Sequence, residues 1–298
     1  MLAVSLAAAL LALGSWTSVP GLIHARAEIA ATTLDGRIFI AGGFGPGGAD
    51  LSSVEMFDPA AGGWQERAPL PRGLNHLGVA ALDGIVYVAG GSIGGTPTNG
   101  LYAYDPVLDT WTARADLPLR RSAHVLVATA GHLFVVGGVG DEPGITLVYD
   151  PLTNTWERRA PMLTIREHLS ATMVDERLYA IGGRWADRGN LPTNEVYDPA
   201  SDQWHSLAPM PTRRGGLTAA NLDGRIHVLG GEAFDPSRTF PEHEVYDPSI
   251  DAWTTAEPLP TPRHGLGSAV LEGALFIIGG GTSAGLSTST DVEAFRLD

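Results

Sequence analysis

The stretch LYAIGGRWADRGNLPTNEVYDPASDQW, Leu178 to Trp204, holds an apolar run closed by two glycines, then a tyrosine with Asp-Pro, then a tryptophan. Read alone it resembles a site. Glu195 and Asp198 could ligate a metal, and Tyr197 and Trp204 could stack on a sugar. Its recurrence argues otherwise. An apolar run ends in Gly-Gly six times, at Gly42-Gly43, Gly90-Gly91, Gly137-Gly138, Gly182-Gly183, Gly230-Gly231 and Gly279-Gly280. Successive first glycines are 48, 47, 45, 48 and 49 residues apart. An aromatic residue precedes Asp-Pro on the same beat, at Phe57, Tyr104, Tyr149, Tyr197 and Tyr246. Tryptophan follows five residues after each of those prolines, at Trp64, Trp111, Trp156, Trp204 and Trp253. Repeats of this period signal a stacked or radial architecture.

Each repeat reads as four strands. In the fourth, MLTIREHLSATMV alternates into a turn at Asp175 to Arg177, LYAIGG is the second strand, NEVYDP the third and QWHSLAPM the fourth. Asp-Gly pairs at Asp35-Gly36, Asp83-Gly84 and Asp223-Gly224 favour the positive φ angles of tight hairpins. No stretch of the repeat region shows sustained helical periodicity. These motifs cover residues 15–298 and resemble the kelch repeat. The resemblance implies an all-β fold, a six-bladed kelch β-propeller whose blades surround a central channel. Blades are expected at about 22–68, 69–115, 116–160, 161–208, 209–257 and 258–298. The last repeat stops at VEAFRLD before any tryptophan, while the chain opens with SWTSVPG. An N-terminal strand at 15–19 carrying Trp16 should therefore close the sixth blade and leave no open ring edge.

Composition excludes several chemistries. Net charge is −14, from 33 acids against 19 bases, which disfavours a nucleic-acid partner. All the bases are arginine, so lysine Schiff-base chemistry is absent, and there is no cysteine for thiol catalysis, disulfides or thiolate metal sites. The apolar run Leu6 to Leu13, with Ala12-Leu13-Gly14 as a small-x-small cleavage site, reads as a signal peptide over residues 1–14. It is too short to span a bilayer. A secreted or periplasmic protein with no integral membrane anchor is expected, or a cytoplasmic one if the run is not a signal.

Binding is expected on the face carrying the loops after Gly-Gly, the connections between blades and the starts of the innermost strands. Arginine stands sixteen residues before the first glycine in five repeats, at Arg26, Arg121, Arg166, Arg214 and Arg263, with Leu74 in the second. His76 and His168 lie close to that register, as do His24, His124 and His264. Guanidinium groups around a channel mouth would favour a protein or glycan ligand carrying carboxylates. Blade ties made by the same arginines are the competing reading. The variable loops of blades four and five add Arg184 and Trp185, then Phe234, Arg238 and Phe240, as stacking or anchoring groups.

Motifs for hydrolases, phosphate loops and dinucleotides are missing. No local His-x-His or His-x-x-x-His pair exists, so no metal site and no cofactor is expected. Among kelch proteins, the copper-radical sugar oxidases depend on a cross-linked cysteine, which this chain lacks. The sialic-acid epimerases supply the enzyme alternative, with Glu28 or His168 as base and the arginines as carboxylate clamps. A purely structural interaction module is the third reading.

Overall fold

The computed structural model describes residues 14–298; the segment read as a signal peptide lies outside the described residues except for Gly14. Six antiparallel sheets follow one another along the chain, each with a path of four strands; in the fifth a short extra strand, Ser237–Thr239, pairs with the second. In the fourth blade, strands Ser170–Val174, Arg177–Ile181, Asn194–Asp198 and Gln203–Ser206 pair in sequence order. The sixth blade is closed as expected. Strand Gly14–Ser18 pairs with Val292–Leu297 and sets Trp16 opposite Phe295. Among the described residues no helix is long and apolar enough to cross a membrane.

The repeated residues are the joints between blades. Each second strand is sandwiched by its neighbours, so Leu178, Tyr179, Ala180 and Ile181 are all buried. This is why the strand reads as a continuous apolar run rather than an alternating one. Tyr197 and Trp204 sit directly opposite each other on adjacent strands, with ring centroids 5.2 Å apart. They pack against Phe134, Val136 and Val148 of the third blade. The Trp204 indole N–H donates to the Ala160 carbonyl of that blade at 3.2 Å. Asp202 completes the joint, accepting from the Tyr197 hydroxyl at 2.7 Å and the Ala160 N–H at 2.8 Å. The opening stretch is thus an inter-blade staple, and Asp202 reaches beyond its own turn. Asp202→Ala should cost about 1–3 kcal/mol in urea denaturation because it strands two donors. Asp202→Asn should cost far less, since Asn154 makes the same pair of bonds to Tyr149 and Ala115 in the third blade.

The double glycine has a separate cause. A Cβ on Gly42 would lie 2.4 Å from the Leu74 carbonyl of the next blade, and Gly42 has φ +62°. That close approach lets the Gly43 N–H donate to the same carbonyl at 2.8 Å. The bond recurs around the disc, from Gly91 to Arg121, Gly138 to Arg166, Gly183 to Arg214, Gly231 to Arg263 and Gly280 to Arg26. The carbonyl that receives it belongs in five blades to the recurrent arginine.

Those arginines correct the sequence reading. Arg26, Arg121, Arg166, Arg214 and Arg263 are fully buried and present no surface to a ligand. Four of them pair with a buried or nearly buried glutamate on the third strand of their own blade. Arg26 meets Glu55 at 2.6 Å, Arg166 meets Glu195 at 2.7 Å, Arg214 meets Glu244 at 2.9 Å and Arg263 meets Glu293 at 2.6 Å. Further N–H groups bind backbone, as those of Arg166 do to the Thr164 and Ala180 carbonyls. Arg121 has no such carboxylate and donates to the carbonyls of Asp141 and Glu142. A planar five-donor head can tie a first-strand approach to two further strands at once. They are corner posts of each blade.

Candidate functional site

One repeat position, fourteen residues before the first glycine, lines the channel mouth with Glu28, His76, Ala123, His168, Gly216 and Gly265. All six adopt left-handed backbone, with φ between 49° and 68°. Their backbones form a chain of hydrogen bonds around the axis. The N–H of His76 donates to the Glu28 carbonyl, Ala123 to His76, His168 to Ala123, Gly216 to His168 and Gly265 to Gly216. Ile29 donates to Gly265 at 3.3 Å and closes the circle. Three members carry ionisable side chains and three carry almost nothing. The small ones make room: a Cβ on Gly265 would lie 2.6 Å from Glu28 Oε1.

Above this ring, on the loop face, opens a cleft of about 200 Å³ lined by Phe44, His76, His168, Arg184, Glu232, Phe234 and Leu286 beside Glu28. Below it the channel runs on between the six first strands. Glu28, His76, His168 and Arg184 are therefore brought together around one cleft. Trp185 is half-buried in the short hairpin Arg184–Trp185 with Gly189–Asn190 and does not line the cleft. His264, Glu167, Glu232, Phe44 and Leu286 complete the cluster and were not among the expected binding residues. Glu28, His76 and His168 share one column of the repeat, and that column is the sequence signal that unites them.

The floor is a dense polar network. Glu28 Oε2 lies 3.3 Å from His76 Nε2 and 3.6 Å from His168 Nε2, and Oε1 lies 3.4 Å from His264 Nδ1. Arg184 bridges Glu167 at 3.0 Å and Glu232 at 2.7 Å, and its guanidinium lies over the Phe234 ring. This cleft arginine is thus already matched by two carboxylates, and with Glu28 the floor is acidic overall. A carboxylate clamp is not what these residues build.

The ionisation of the network follows from its contacts. Burial pushes the Glu28 carboxyl up, but His76, His168 and His264 around it overcome that and hold it well below the usual carboxylate range. Burial drives His168 well below the usual imidazole range despite the attraction of Glu28. The charged form of His264 is also disfavoured by burial, yet the nearby carboxylates of Glu28 and Glu232 raise its pKa. Glu28 is consequently a weak base, and His168 is a neutral imidazole of low basicity. General-base catalysis is most effective when the base titrates near the working pH, which neither group does.

Comparison with known proteins agrees with this architecture. The family described as the KLHDC2/KLHL20/DRC7 Kelch-repeats domain matches residues 14–183, and the Kelch motif matches residues 165–211. The chain belongs to the kelch-repeat family. It is 40% identical over 81 residues to Kelch-like protein 34 of Homo sapiens, covering 27% of this chain and 13% of that protein. It is 36% identical over 87 residues to Kelch-like protein terF of Aspergillus terreus, covering 26% of this chain and 19% of that one. The match therefore spans less than a fifth of either relative's length. In three dimensions it resembles the solved structure of YjhT with a TM-score of 0.80 at 17% identity, over 93% of this chain and 96% of that one. At that identity the likeness speaks for the fold alone.

Proposed function

We propose that this propeller is an interaction module that recognises a partner protein through its loop face, anchored at the cleft over the channel mouth. The observation that carries the reading is an exposed apolar rim above a buried polar floor. Phe234 is 60% exposed and Leu286 79% exposed, and they come from neighbouring blades to line one cleft. Interfaces of this kind draw affinity from a few aromatic or aliphatic anchors and orientation from polar groups beneath them. A glycan is the second ligand class, stacking on the same aromatic rim. The acidic-sugar enzyme has less support, because the recurrent arginines are buried and Glu28 and His168 are weak bases. Secretion stays part of the proposal on the N-terminal apolar run.

Selection from a displayed random-peptide library, in parallel with a glycan array, tests this directly. Peptides enriched on the wild-type protein should bind Phe234→Asp/Leu286→Asp at least about tenfold more weakly, the loss of one buried anchor. They should bind Leu152→Asp unchanged, since Leu152 is 93% exposed in the turn between third and fourth strands on the opposite face. Glycan binding without peptide binding would replace the protein partner by a carbohydrate. Equal loss in both variants would remove the cleft from the reading.

A further inference from the structure

The cleft floor contains an arrangement that a docking surface does not require. His76 Nδ1 faces Asn75 Oδ1. That amide is oriented by its nitrogen, which donates to Asp50 Oδ1 at 2.5 Å and to the Ser92 carbonyl at 3.3 Å. An oxygen facing His76 can only accept, so His76 carries its proton on Nδ1. His168 Nδ1 faces Glu167 Oε2, an acceptor by its nature, and is protonated in the same way. Both imidazoles then turn a bare Nε2 lone pair inward. The two Nε2 atoms are 3.0 Å apart, and Glu28 Oε2 is the third corner at 3.3 and 3.6 Å. Three electron pairs converge on one point with no donor among them.

We propose that Glu28, His76 and His168 form a binding site for a single divalent transition-metal cation of the Zn²⁺ class. Two imidazoles and one carboxylate are a common catalytic or binding set for such ions. Ligand atoms bonded at about 2.0–2.1 Å in a tetrahedron lie about 3.3–3.4 Å from one another. The observed separations of 3.0, 3.3 and 3.6 Å bracket that value. Each histidine is held from behind by a hydrogen bond on its other nitrogen, the support metal-binding histidines need to fix tautomer and orientation. The other oxygen of Glu28 is served independently. His264 is 2% exposed, and its Nε2 donates to the Ser283 carbonyl at 3.1 Å. Its Nδ1 has no hydrogen-bond partner and points at Glu28 Oε1 and Glu232 Oε2, at 3.4 and 3.6 Å. The fourth coordination position opens toward the cleft, where a ligand oxygen or nitrogen could take it.

The site stands whether or not the cleft docks a protein. The full chain, treated with chelator and dialysed, is titrated by calorimetry with Zn²⁺ and Co²⁺, and with Mg²⁺ as a hard-cation control. One equivalent of Zn²⁺ or Co²⁺ should bind, and Mg²⁺ should not compete. Glu28→Gln and His168→Gln, each checked for fold by circular dichroism, should lose that uptake. Glu167→Gln, which touches no metal, should weaken it about 10–100-fold as a positioning residue. If the ligand variants do not fold, the visible spectrum of the cobalt-loaded wild type decides. An intense band of a four- or five-coordinate nitrogen-containing site supports the proposal, and a weak octahedral spectrum overturns it. Absence of uptake, or equal uptake in folded Glu28→Gln and His168→Gln, also overturns it and leaves a shared proton as the counter-charge.

Discussion

Replacing Arg166 with methionine should lower the stability of the propeller by about 3–5 kcal/mol, because it leaves Glu195 as an unpaired charge in the interior. The pair is 2.7 Å apart with both side chains essentially inaccessible, so water cannot take over from the guanidinium. Removing both charges in Arg166→Met/Glu195→Leu should restore most of the loss, since apolar groups of similar volume often replace a buried ion pair at little cost. Arg121→Met should cost less than Arg166→Met, about 1–3 kcal/mol. Arg121 answers only backbone carbonyls, and its loss strands acceptors rather than an ion. Urea denaturation of the four proteins gives the comparison. An Arg166→Met protein as stable as the wild type would refute the corner-post role and return this arginine to the list of ligand contacts.

The arginines show where sequence reading runs out and what could have carried it further. Their spacing identified a structural position, but spacing does not say whether a side chain turns inward. The partner stands two residues before the aromatic of the third strand in four blades. Glu55, Glu195, Glu244 and Glu293 precede Phe57, Tyr197, Tyr246 and Phe295 by that interval in four of the five blades with an arginine. The second blade, which has Leu74 in place of arginine, has Tyr102 there instead of glutamate. Charge that recurs together in four blades, and is missing on both sides in the second, marks a buried pair, not a surface ring; the third blade, with Arg121 and Leu147, is the exception.

The propeller itself was legible because Gly-Gly, aromatic-Asp-Pro and Trp each answer a constraint that recurs from blade to blade: close approach, joint and staple. Trp16 could even be assigned to the sixth blade, 279 residues along the chain from its strand partner Phe295. The floor of the cleft was less legible for the opposite reason. Glu28, His76 and His168 share a repeat position but differ in type, and 48 and 92 residues separate neighbours in the chain. Local metal-ligand spacing has no purchase on groups that only ring closure brings together. Glu232 and Leu286 come from the variable loops, whose paths no repeat dictates.

Acid should unfold this protein in the window from about pH 6.5 down to about pH 4.5, before ordinary carboxylates titrate. Burial first of all, joined by Arg121, pushes His124 down to about 3. Burial likewise takes His227 to about 4 and His243 to about 3. In the unfolded chain the same groups titrate near 6.5. Below that pH the unfolded state binds protons that the native state refuses, so stability falls as pH falls, until each folded value is reached. Each independent histidine costs about 1.4 kcal/mol per pH unit, and three over two units approach the whole stability of an ordinary domain. His264 is shifted the other way, so its contribution is complete below 6.5 and is lost only as pH rises through its raised folded value. It cannot offset the acid loss. His227 and His243 make the effect local as well as global. Their nitrogens are 2.8 Å apart, and Trp16 of the closing strand packs on His243, so charging them loosens the latch of the sixth blade. His124 gives the cleanest test. The same repeat position holds Ile29, Leu77, Leu169, Leu217 and Leu266 in the other five blades. Neither ring nitrogen of His124 makes a hydrogen bond within the protein. His124→Leu should therefore be at least as stable as the wild type at pH 7.5 and lose about 1.4 kcal/mol less per unit on acidification. Urea midpoints measured between pH 5 and 8 report both, and an unchanged slope would show that His124 is protonated in the folded protein.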